Sequence, residues 1–540
     1  MFKKNLALHT SLLVMLVTAL TFLPALQCGF VNFDDPEYVL LNPVIRELTP
    51  ASIASMFSQA HVGWWMPLTW LSLAVDYHVW GENPVGYHLT NMLLHAVNGG
   101  LVVLIAASLC RLTDTCTGVA TVSGWRAGVG LVLGGLLFGV HPLRVESVAW
   151  VTERKDVLNG FFTFAAILCY LHGLEQRAAG EKGRGGYLLS LVFFAFSLMA
   201  KSTSVVLPLM LLALDWTPLG RLRREGLRWP LLEKLPFLAV AACSTLWTIA
   251  VAARSSYLVT YEAFPFAQRL VVSGNAVWEY VRLMLVPMGL SPFNVIPDPI
   301  PVCYTLTTIL VAVVLGAILV VRLSPWIKSA VICFLLPLLP VLAFFQNGDQ
   351  SFADRFTYLP ALAPSLFLTL LLVRERRGER LLRPLSGLMV LFLVVCAILT
   401  VRQIGVWQNA ETFWTRVIAV EPLAISYKER GRYYLGAGRF SEAAADFTAA
   451  LAMTTPTLKP YEYNFYAFRG EALRGAGKYG EAVRDLTTAI GSNPHPAYFY
   501  HRGLALKALG RTAEADEDFR RAGSNSGPIA WFDREGAEWR

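Results

Sequence analysis

Charge is scarce in this sequence. Asp, Glu, Lys and Arg make up 16% of the 540 residues, whereas soluble domains carry about 25%. Hydrophobic residues make up 55% and lie in long runs, a composition typical of membrane proteins. The basic residues form short clusters between the apolar runs and no continuous stripe. This pattern argues against a nucleic-acid partner and indicates loop charges that fix membrane topology.

Several chemical motifs are absent as well. The sequence has no phosphate-binding glycine loop, no GxSxG elbow and no HExxH pair, which argues against a nucleotide-driven pump. Its eight cysteines form no CxxC pair and have no Cys/His metal spacing, so we interpret them as buried thiols. No firm cofactor follows from the sequence. A divalent metal is not indicated, although several acids near His61 or His141 leave that question open.

The apolar runs predict an all-α membrane domain, because about 20 apolar residues cross a bilayer as a helix. The first run follows Lys3 and Lys4 and is longer than the core of a secretory signal, so we interpret it as an uncleaved helix. Eleven membrane helices are predicted, at 6–26, 89–109, 127–140, 157–174, 187–199, 205–216, 235–252, 304–321, 326–345, 357–373 and 385–400.

The topology depends on the block 187–216, which Lys201 and the polar residues after it interrupt. Two helices there place the basic loops on the cytoplasmic side, as the positive-inside rule requires. The N-terminus is then predicted to be cytoplasmic and the C-terminus to lie outside. The range 270–290 contains Glu279 and Arg282, so we interpret it as interfacial or re-entrant. If it spanned the membrane, the C-terminal part would be cytoplasmic.

The C-terminal part of the chain is repetitive. Glycines recur at Gly431, Gly470 and Gly503, and further small residues and a proline follow each of them at similar intervals. Small residues let the two helices of a hairpin touch, which is the tetratricopeptide (TPR) pattern with a period near 34. We therefore predict an α-solenoid. The expected ranges are 1–402 for the membrane domain, 403–423 for a linker, 424–529 for the array with repeats 424–456, 463–496 and 496–529, and 530–540 for a tail.

Two adjacent carboxylates, Asp34 and Asp35, follow the first predicted helix. A solvated turn before a proline would explain them without any function. However, His61 and Trp65 lie in the same outer loop. Aromatic residues at the membrane surface usually anchor a protein to the interface between lipid and water, but they also stack on sugars. The loop is therefore a candidate site as well as a candidate anchor.

Further charged residues lie in the other outer loops. They are His141, Glu146, Glu153, Arg154, Lys155 and Asp156 in the second loop, Lys201 in the third, and Asp354 and Arg355 before the tenth helix. Charge this close to hydrocarbon is costly and often functional. The cations among them could hold a phosphate. Two simpler explanations account for these charged residues without a ligand. The acids and cations could form surface ion pairs, and Lys201 could extend its side chain to the membrane interface.

Taken in order, these segments resemble the transmembrane and TPR repeat-containing protein family. The matching segments are 33–35, 141–156, 199–202, 353–360, 407–414 and the terminal repeats. The resemblance covers nearly the whole chain. The repeat array is shorter than in animal members, which indicates a bacterial relative.

The resemblance implies a GT-C fold and protein O-mannosyltransferase activity. The donor would be a polyprenyl-phosphate or dolichyl-phosphate sugar, usually mannose, and the acceptor a Ser or Thr hydroxyl of an exported protein. Asp34 or Asp35 would accept the hydroxyl proton. Arg154, Lys201 and Arg355, with Lys155, would hold the leaving phosphate, and the other residues named above would support the site.

The implied partners are the membrane lipid carrier and, through the repeats, an acceptor polypeptide. The expected location is a bacterial inner membrane, with the active loops and the repeats on the periplasmic side. Three alternatives stay open at this point. They are a non-catalytic scaffold whose repeats dock partners, a glycosyltransferase that acts on a glycolipid, and a transporter or flippase that moves its substrate unchanged.

Overall fold

The computed structural model describes residues 4–117, 125–252, 264–345, 350–373, 379–454 and 459–523. The chain divides into two compact units. The first comprises Met1–Phe30 and Asp34–Gln408, and the second Val31–Phe33 and Asn409–Arg540. Within the described ranges the fold is all-α, and no strand forms beyond two isolated bridges. The predicted fold class, a membrane helix bundle with a TPR solenoid, is confirmed.

Sixteen α-helices build the described part of the first unit. They are α1 (Lys4–Phe22), α2 (Pro50–Ser58), α3 (Pro67–Trp80), α4 (Pro84–Thr117), α5 (Trp125–Gly139), α6 (Val145–Ala149), α7 (Arg154–Ala178), α8 (Arg184–Ala200), α9 (Leu207–Trp216), α10 (Arg221–Arg224), α11 (Arg228–Ala252), α12 (Phe266–Leu285), α13 (Val302–Val320), α14 (Pro325–Leu335), α15 (Leu362–Val373) and α16 (Glu379–Ile404).

Six helical segments of the described chain are long and apolar enough to cross a membrane. They are Asn5–Gln27, Pro84–Asp114, Val151–Ala178, Arg228–Val251, Val302–Val320 and Pro384–Trp407. A seventh is the pair Trp125–Gly139 and Pro142–Ala149, which is bent by 49°. Four shorter apolar helices follow the remaining predicted segments: Arg184–Ala200, Ser202–Trp216, Pro325–Val341 and Leu362–Val373. A helix therefore overlaps each of the eleven predicted places, but the short ones do not cross a bilayer by length alone.

Most of the range 270–290 lies in α12, which ends at Leu285 and is not among the candidate spans. Arg282 pairs with Glu279 at 2.6 Å on this helix. Its buried side chains lie on one face and include Arg269, whose guanidinium donates to the backbone carbonyls of Phe264 and Ala343. α12 thus has the amphipathic character that the sequence indicates for this range.

Glycines let the helices of the first unit approach closely. A Cβ atom on Gly186 of α8 would lie 2.7 Å from the carbonyl oxygen of Cys169 on α7. A Cβ atom on Gly134 of α5 would lie 2.7 Å from the carbonyl oxygen of Ser365 on α15. Both distances are too short for any side chain, so the backbones touch directly. Such packing is typical of helices in lipid, where van der Waals contact holds them together.

The second unit contains one single helix and three helical hairpins in the described residues. The helices are α17 (Ala410–Val420), α18 (Ala424–Gly436), α19 (Phe440–Ala452), α20 (Glu462–Gly475), α21 (Tyr479–Ser492), α22 (Pro496–Ala508) and α23 (Thr512–Ala522). The segment 403–423, predicted as a linker, is largely helical in the structure. α16 continues to Ile404, the boundary between the units falls after Gln408, and α17 belongs to the second unit. The predicted tail lies outside the described residues.

The repeated glycines of the hairpins face the second helix of each pair. A Cβ atom on Gly470 would lie 2.7 Å from Cγ of Leu486, and those on Gly431 and Gly503 would meet the rings of Phe447 and Phe519. The same helix pairs carry a repeated ion pair, formed by Arg430 with Asp446, Arg469 with Asp485, and Arg502 with Asp518. Small residues and ion pairs therefore set the spacing of each hairpin.

This packing predicts that Gly470→Ala destabilises the second unit by about 1–3 kcal/mol, because the new methyl group overpacks the interface. Gly480→Ala is the matched control. Gly480 lies on α21 with open space around it, so alanine there should be neutral or stabilising by about 0.5–1 kcal/mol. The measurement is the rate of tryptic cleavage within 409–523 of the full chain in detergent, over a urea series. Equal protection of both variants would contradict the packing described.

Candidate functional site

The buried carboxylate of Asp35 joins the first loop to the segment before α7. Asp35 is 1% exposed, and its Oδ1 accepts hydrogen bonds from the backbone N–H of Thr152 at 3.0 Å and from its hydroxyl at 2.7 Å. Tyr38, one turn later, lies under the ammonium of Lys155 at 4.7 Å from its ring centroid. The first loop is therefore fixed to residues on both sides of Glu153.

Asp34 differs from its neighbour in exposure. Its side chain is partly exposed, and its backbone carbonyl accepts from the N–H of Tyr38 at 3.0 Å. Asp34 is therefore the more exposed of the two residues. The turn that Pro36 predicts is present, as a single turn over Pro36–Leu40.

Glu153 is the centre of a cluster of opposite charges. Its carboxylate oxygens lie 3.1 Å from Nζ of Lys155, 3.3 Å from Nζ of Lys201 and 3.3 Å from Nε of Arg355. Glu153 lies at the start of α7, Lys201 at the end of α8, and Arg355 in the turn Asp354–Thr357. Three separate parts of the chain thus meet at one acid.

Two further acids complete this cluster. Asp156 lies 2.5 Å from Nζ of Lys201. Glu146 pairs with the guanidinium of Arg355 and also accepts from its backbone N–H at 2.9 Å. We call Glu146, Glu153, Lys155, Asp156, Lys201 and Arg355 the charge cluster.

The cations of the charge cluster lie nearer the surface than the acids. The side chains of Lys155, Lys201 and Arg355 are 11%, 14% and 13% exposed, whereas those of Glu153 and Glu146 are 1% and 2% exposed. An anion that approaches from outside would therefore meet the cations first. The indole of Trp150 lies beside two of these cations, with its centroid 5.7 Å from Lys155 Nζ and 5.5 Å from Arg355 Cζ.

Neighbouring residues hold the cluster segments in place. The amide of Asn159 donates to the carbonyl of Lys201 at 2.8 Å. The guanidinium of Arg144 is fully buried and donates to the carbonyl and hydroxyl of Thr357 at 2.7 and 2.6 Å. The sequence reasoning missed Thr152, Arg144 and Asn159. In the sequence, each of them is a polar or charged residue close to the end of an apolar helix. That pattern is typical of functional residues and of structural residues alike.

Asp354 is buried beside the charge cluster. It is 3% exposed, and its Oδ1 has no hydrogen-bond partner among the described residues. Burial raises the pKa of this carboxyl well above its ordinary value, and the nearby charge of Glu146 raises it further. Asp354 is therefore a neutral carboxylic acid over a wider pH range than an exposed aspartate.

The remaining predicted residues lie apart from the charge cluster or face away from it. Arg154 is fully buried, and its guanidinium binds Asp76 at 2.5 Å, Ser72 and Asn91. The N–H groups of this guanidinium are thus occupied by other protein groups. This placement differs from the sequence-based expectation of a phosphate ligand, because the helix start turns the side chain toward α3 and α4.

His61, Trp65 and His141 also have structural partners. His61 Nε2 lies 3.2 Å from the carbonyl of Ser55, and Trp65 Nε1 donates to the carbonyl of Phe57 at 2.9 Å. His141 is buried; its Nδ1 accepts from the N–H of Leu143 at 3.3 Å, and its Nε2 lies 3.1 Å from the carbonyl of Met284. No cluster of three or more His, Cys, Asp or Glu side chains in the described residues has metal-binding geometry.

Comparisons with known proteins agree with this architecture. The tetratricopeptide repeat family matches residues 468–528. Protein O-mannosyl-transferase TMTC4 of Mus musculus is 23% identical over 76% of this chain and 62% of its own length. Protein O-mannosyl-transferase Tmtc1 of Drosophila melanogaster is 28% identical over 37% of this chain and 22% of its own length. TMTC3 of Homo sapiens is 31% identical over 31% and 17%.

The chain is thus similar, over part of its length, to proteins named protein O-mannosyl-transferases. The resemblance predicted from the sequence segments is thereby confirmed. The matched region is about a fifth of the length of the fly and human relatives. Tetratricopeptide repeats in general mediate protein–protein interaction, and the family match lies within the second unit.

The burial of Asp354 leads to a prediction about pH. Because its pKa is raised in the folded state, the folded protein binds this proton more tightly than the unfolded chain. Stability therefore falls as the pH rises above the ordinary carboxyl range toward the folded pKa. Asp354→Asn is neutral at every pH and should lose this decline. The measurement is thermal unfolding of the detergent-solubilised chain from pH 5 to 9, with the exposed Asp298→Asn as control. If the stability of Asp354→Asn fell with rising pH as steeply as that of the wild type, Asp354 would not be the group responsible for the decline.

Proposed function

We propose that the protein is an integral-membrane glycosyltransferase that transfers mannose from a polyprenyl-phosphate carrier to Ser or Thr hydroxyls of exported proteins. The observation that carries the proposal is the pair of carboxylates in the first loop. Asp34 is partly exposed, and Asp35 ties the loop to the charge cluster through Thr152. The names of the relatives, protein O-mannosyl-transferases, support the same reaction type.

In the proposed reaction the acceptor hydroxyl oxygen attacks the anomeric carbon of the donor. Asp34 takes the hydroxyl proton as general base. The bond between the anomeric carbon and the phosphate oxygen breaks, and the electron pair leaves with the lipid phosphate. A single displacement of this kind inverts the anomeric centre. The charge balance is complete, since the proton ends on Asp34 and the negative charge on the phosphate.

The cations of the charge cluster are assigned to the donor phosphate. Lys155, Lys201 and Arg355 are the outermost groups of the cluster, and Glu153 holds them together before any substrate arrives. Cations fixed in this way stabilise the developing charge of the leaving group without reorganisation. Arg154 is not assigned to the phosphate, because Asp76 and Asn91 use its guanidinium.

Asp35 is proposed as a positioning residue. Its bonds to Thr152 fix the loop that carries Asp34. The TPR unit is proposed to bind the acceptor polypeptide, because stacked helical hairpins present extended surfaces for peptides. The positive-inside rule places both functions on the outer side of the membrane. We assign no cofactor or metal to the reaction.

The proposal predicts that Asp34→Asn lowers mannose transfer by roughly 10²–10⁴-fold, the usual contribution of a general base. Asp35→Asn keeps an oxygen that accepts from Thr152, so this variant should lower mannose transfer less than Asp34→Asn does. Glu47→Gln removes an exposed carboxylate from the same loop and should be neutral. The measurement is transfer of labelled mannose from polyprenyl-phosphate-mannose to protein in membranes with equal amounts of each variant.

The outcome separates the competing functions. Full activity of Asp34→Asn with severe loss in Asp35→Asn would transfer the role of base to Asp35. Label that enters glycolipid instead of protein would favour the glycolipid acceptor. No transfer by the wild type from any mannose or glucose carrier, with intact partner binding by the repeats, would favour the non-catalytic scaffold.

The phosphate assignment predicts a graded series at position 355. Arg355→Gln should lower transfer by about 10²-fold, because one fixed cation is lost from the leaving group. Arg355→Lys should be intermediate, since lysine keeps the charge but lacks the planar fork that pairs with Glu146. Arg46→Gln, which breaks a partly exposed ion pair with Glu82, is the control. Equal activity of Arg355→Gln and wild type at saturating donor would remove Arg355 from the mechanism.

A further inference from the structure

A second set of charged residues lies at the end of the first unit that is remote from the charge cluster. α4 contacts Arg154 through Asn91 near one end, and Leu112 lies near the other. At a rise of 1.5 Å per residue these places are about 30 Å apart along the helix. The two ends of the bundle therefore carry separate polar regions on either side of an apolar layer.

The remote set is built on a buried carboxylate, Asp215. Its oxygens accept from the hydroxyl of Tyr170 at 2.7 Å, from Arg221 Nη1 at 3.1 Å and from Lys234 Nζ at 2.6 Å. Asp215 and these three partners are at most 3% exposed. Arg221 also binds Glu225 in bidentate fashion at 3.0 and 2.6 Å. The network thus forms a rigid polar floor.

A cavity of about 300 Å³ opens above this floor. Three arginines line it, Arg177, Arg221 and Arg224, against one acid, Glu225. Its other walls are apolar and include Leu112 and Leu219. The volume is at the lower end of the range of about 300–1,000 Å³ for ligand pockets. Glu233 pairs with Arg177 and, at 3.0 Å, with Arg221. The excess of positive charge in the cavity therefore comes from Arg224 and suits one anionic group.

Arg224 is the cation of this cavity with the least internal pairing. It is exposed, and its Nη2 donates to the backbone carbonyl of Leu219 at 3.1 Å. No ion pair joins Arg224 to a carboxylate within the part of the chain that the structure describes. Its other N–H groups can therefore reach an oxygen anion in the cavity.

An apolar cleft is lined by residues that are close in the sequence to those of the cavity walls. Leu109 lies one helical turn before Leu112, and Thr217 and Pro218 directly precede Leu219. The cleft has a volume of about 40 Å³, so it accepts a few methylene groups rather than a whole lipid. The exposed side chains of Leu227 and Trp229 follow the arginine-rich α10. An exposed tryptophan next to arginines is typical of the level of the lipid headgroups.

We propose that this cavity binds the phosphate headgroup of an anionic membrane phospholipid. Arg224 and Arg177 contact the phosphate oxygens, Arg221 supplies charge from the floor, and the first acyl methylenes lie in the apolar cleft. Basic pockets between membrane helices bind anionic headgroups in this way. The site is remote from the charge cluster and does not depend on the proposed transfer reaction.

The test uses the full chain in detergent, titrated with phosphatidylglycerol, with zwitterionic phosphatidylcholine and with inorganic phosphate, and observed by native mass spectrometry. Arg224→Gln removes the exposed lining cation. Arg223→Gln is the matched control, because Arg223 is an exposed neighbour on α10 that does not line the cavity. Ala178→Trp blocks the cavity without a change of charge. Arg221 stays untouched, because its loss would disturb the Asp215 network.

The wild type and Arg223→Gln should bind phosphatidylglycerol alike and more tightly than phosphatidylcholine. Arg224→Gln should weaken phosphatidylglycerol about fivefold, the effect of one basic residue near a lipid phosphate, and Ala178→Trp should weaken it at least as much. Equal weakening by Arg223→Gln would reduce the effect to general surface charge and overturn the site. Binding of inorganic phosphate as tightly as the lipid would overturn the lipid assignment, because the acyl contacts would then contribute nothing.

Discussion

The pairing of Glu153 with three cations is the interaction on which the candidate site depends. Lys155, Lys201 and Arg355 come from different parts of the chain and meet at one carboxylate that is 1% exposed. Removal of one partner from a buried ion pair typically costs about 3–5 kcal/mol, because it leaves a charge without compensation. The ends of α7 and α8 and the turn before α15 are therefore held in one arrangement.

That arrangement exists before a substrate binds. The acids lie inside and the cations outside, and Asp35 fixes the first loop to the same segment through Thr152. In the proposed reaction, a site with this order receives the donor phosphate without first moving charges, which is the physical basis of electrostatic catalysis. At the opposite end of the bundle another buried acid also holds a cation in place. Asp215 binds Arg221, which lines a cavity.

Much of the fold could be predicted from local patterns. Apolar runs locate helices because lipid demands internal hydrogen bonds for every backbone group, and recurrent glycines locate the hairpins because only small residues fit between touching helices. Local patterns indicate less about the segment that was predicted as a linker. The segment 403–423 has few apolar residues in a row, yet α17 forms there with an Asn409 cap and a buried face of Phe413 and Trp414.

The candidate site was predictable only as a set of residue types. The sequence by itself determined that acids and cations stand next to apolar helix ends, where charge is too costly to be kept without a partner or a function. It could not determine which charges face each other, because partners such as Glu146 and Arg355 are far apart in the chain. Only the tertiary structure decided that Arg154 turns toward Asp76 while Lys155 turns toward Glu153. The reason is geometric: adjacent residues at a helix start point in different directions, and the packing of α3, α4 and α8 selects the partner of each.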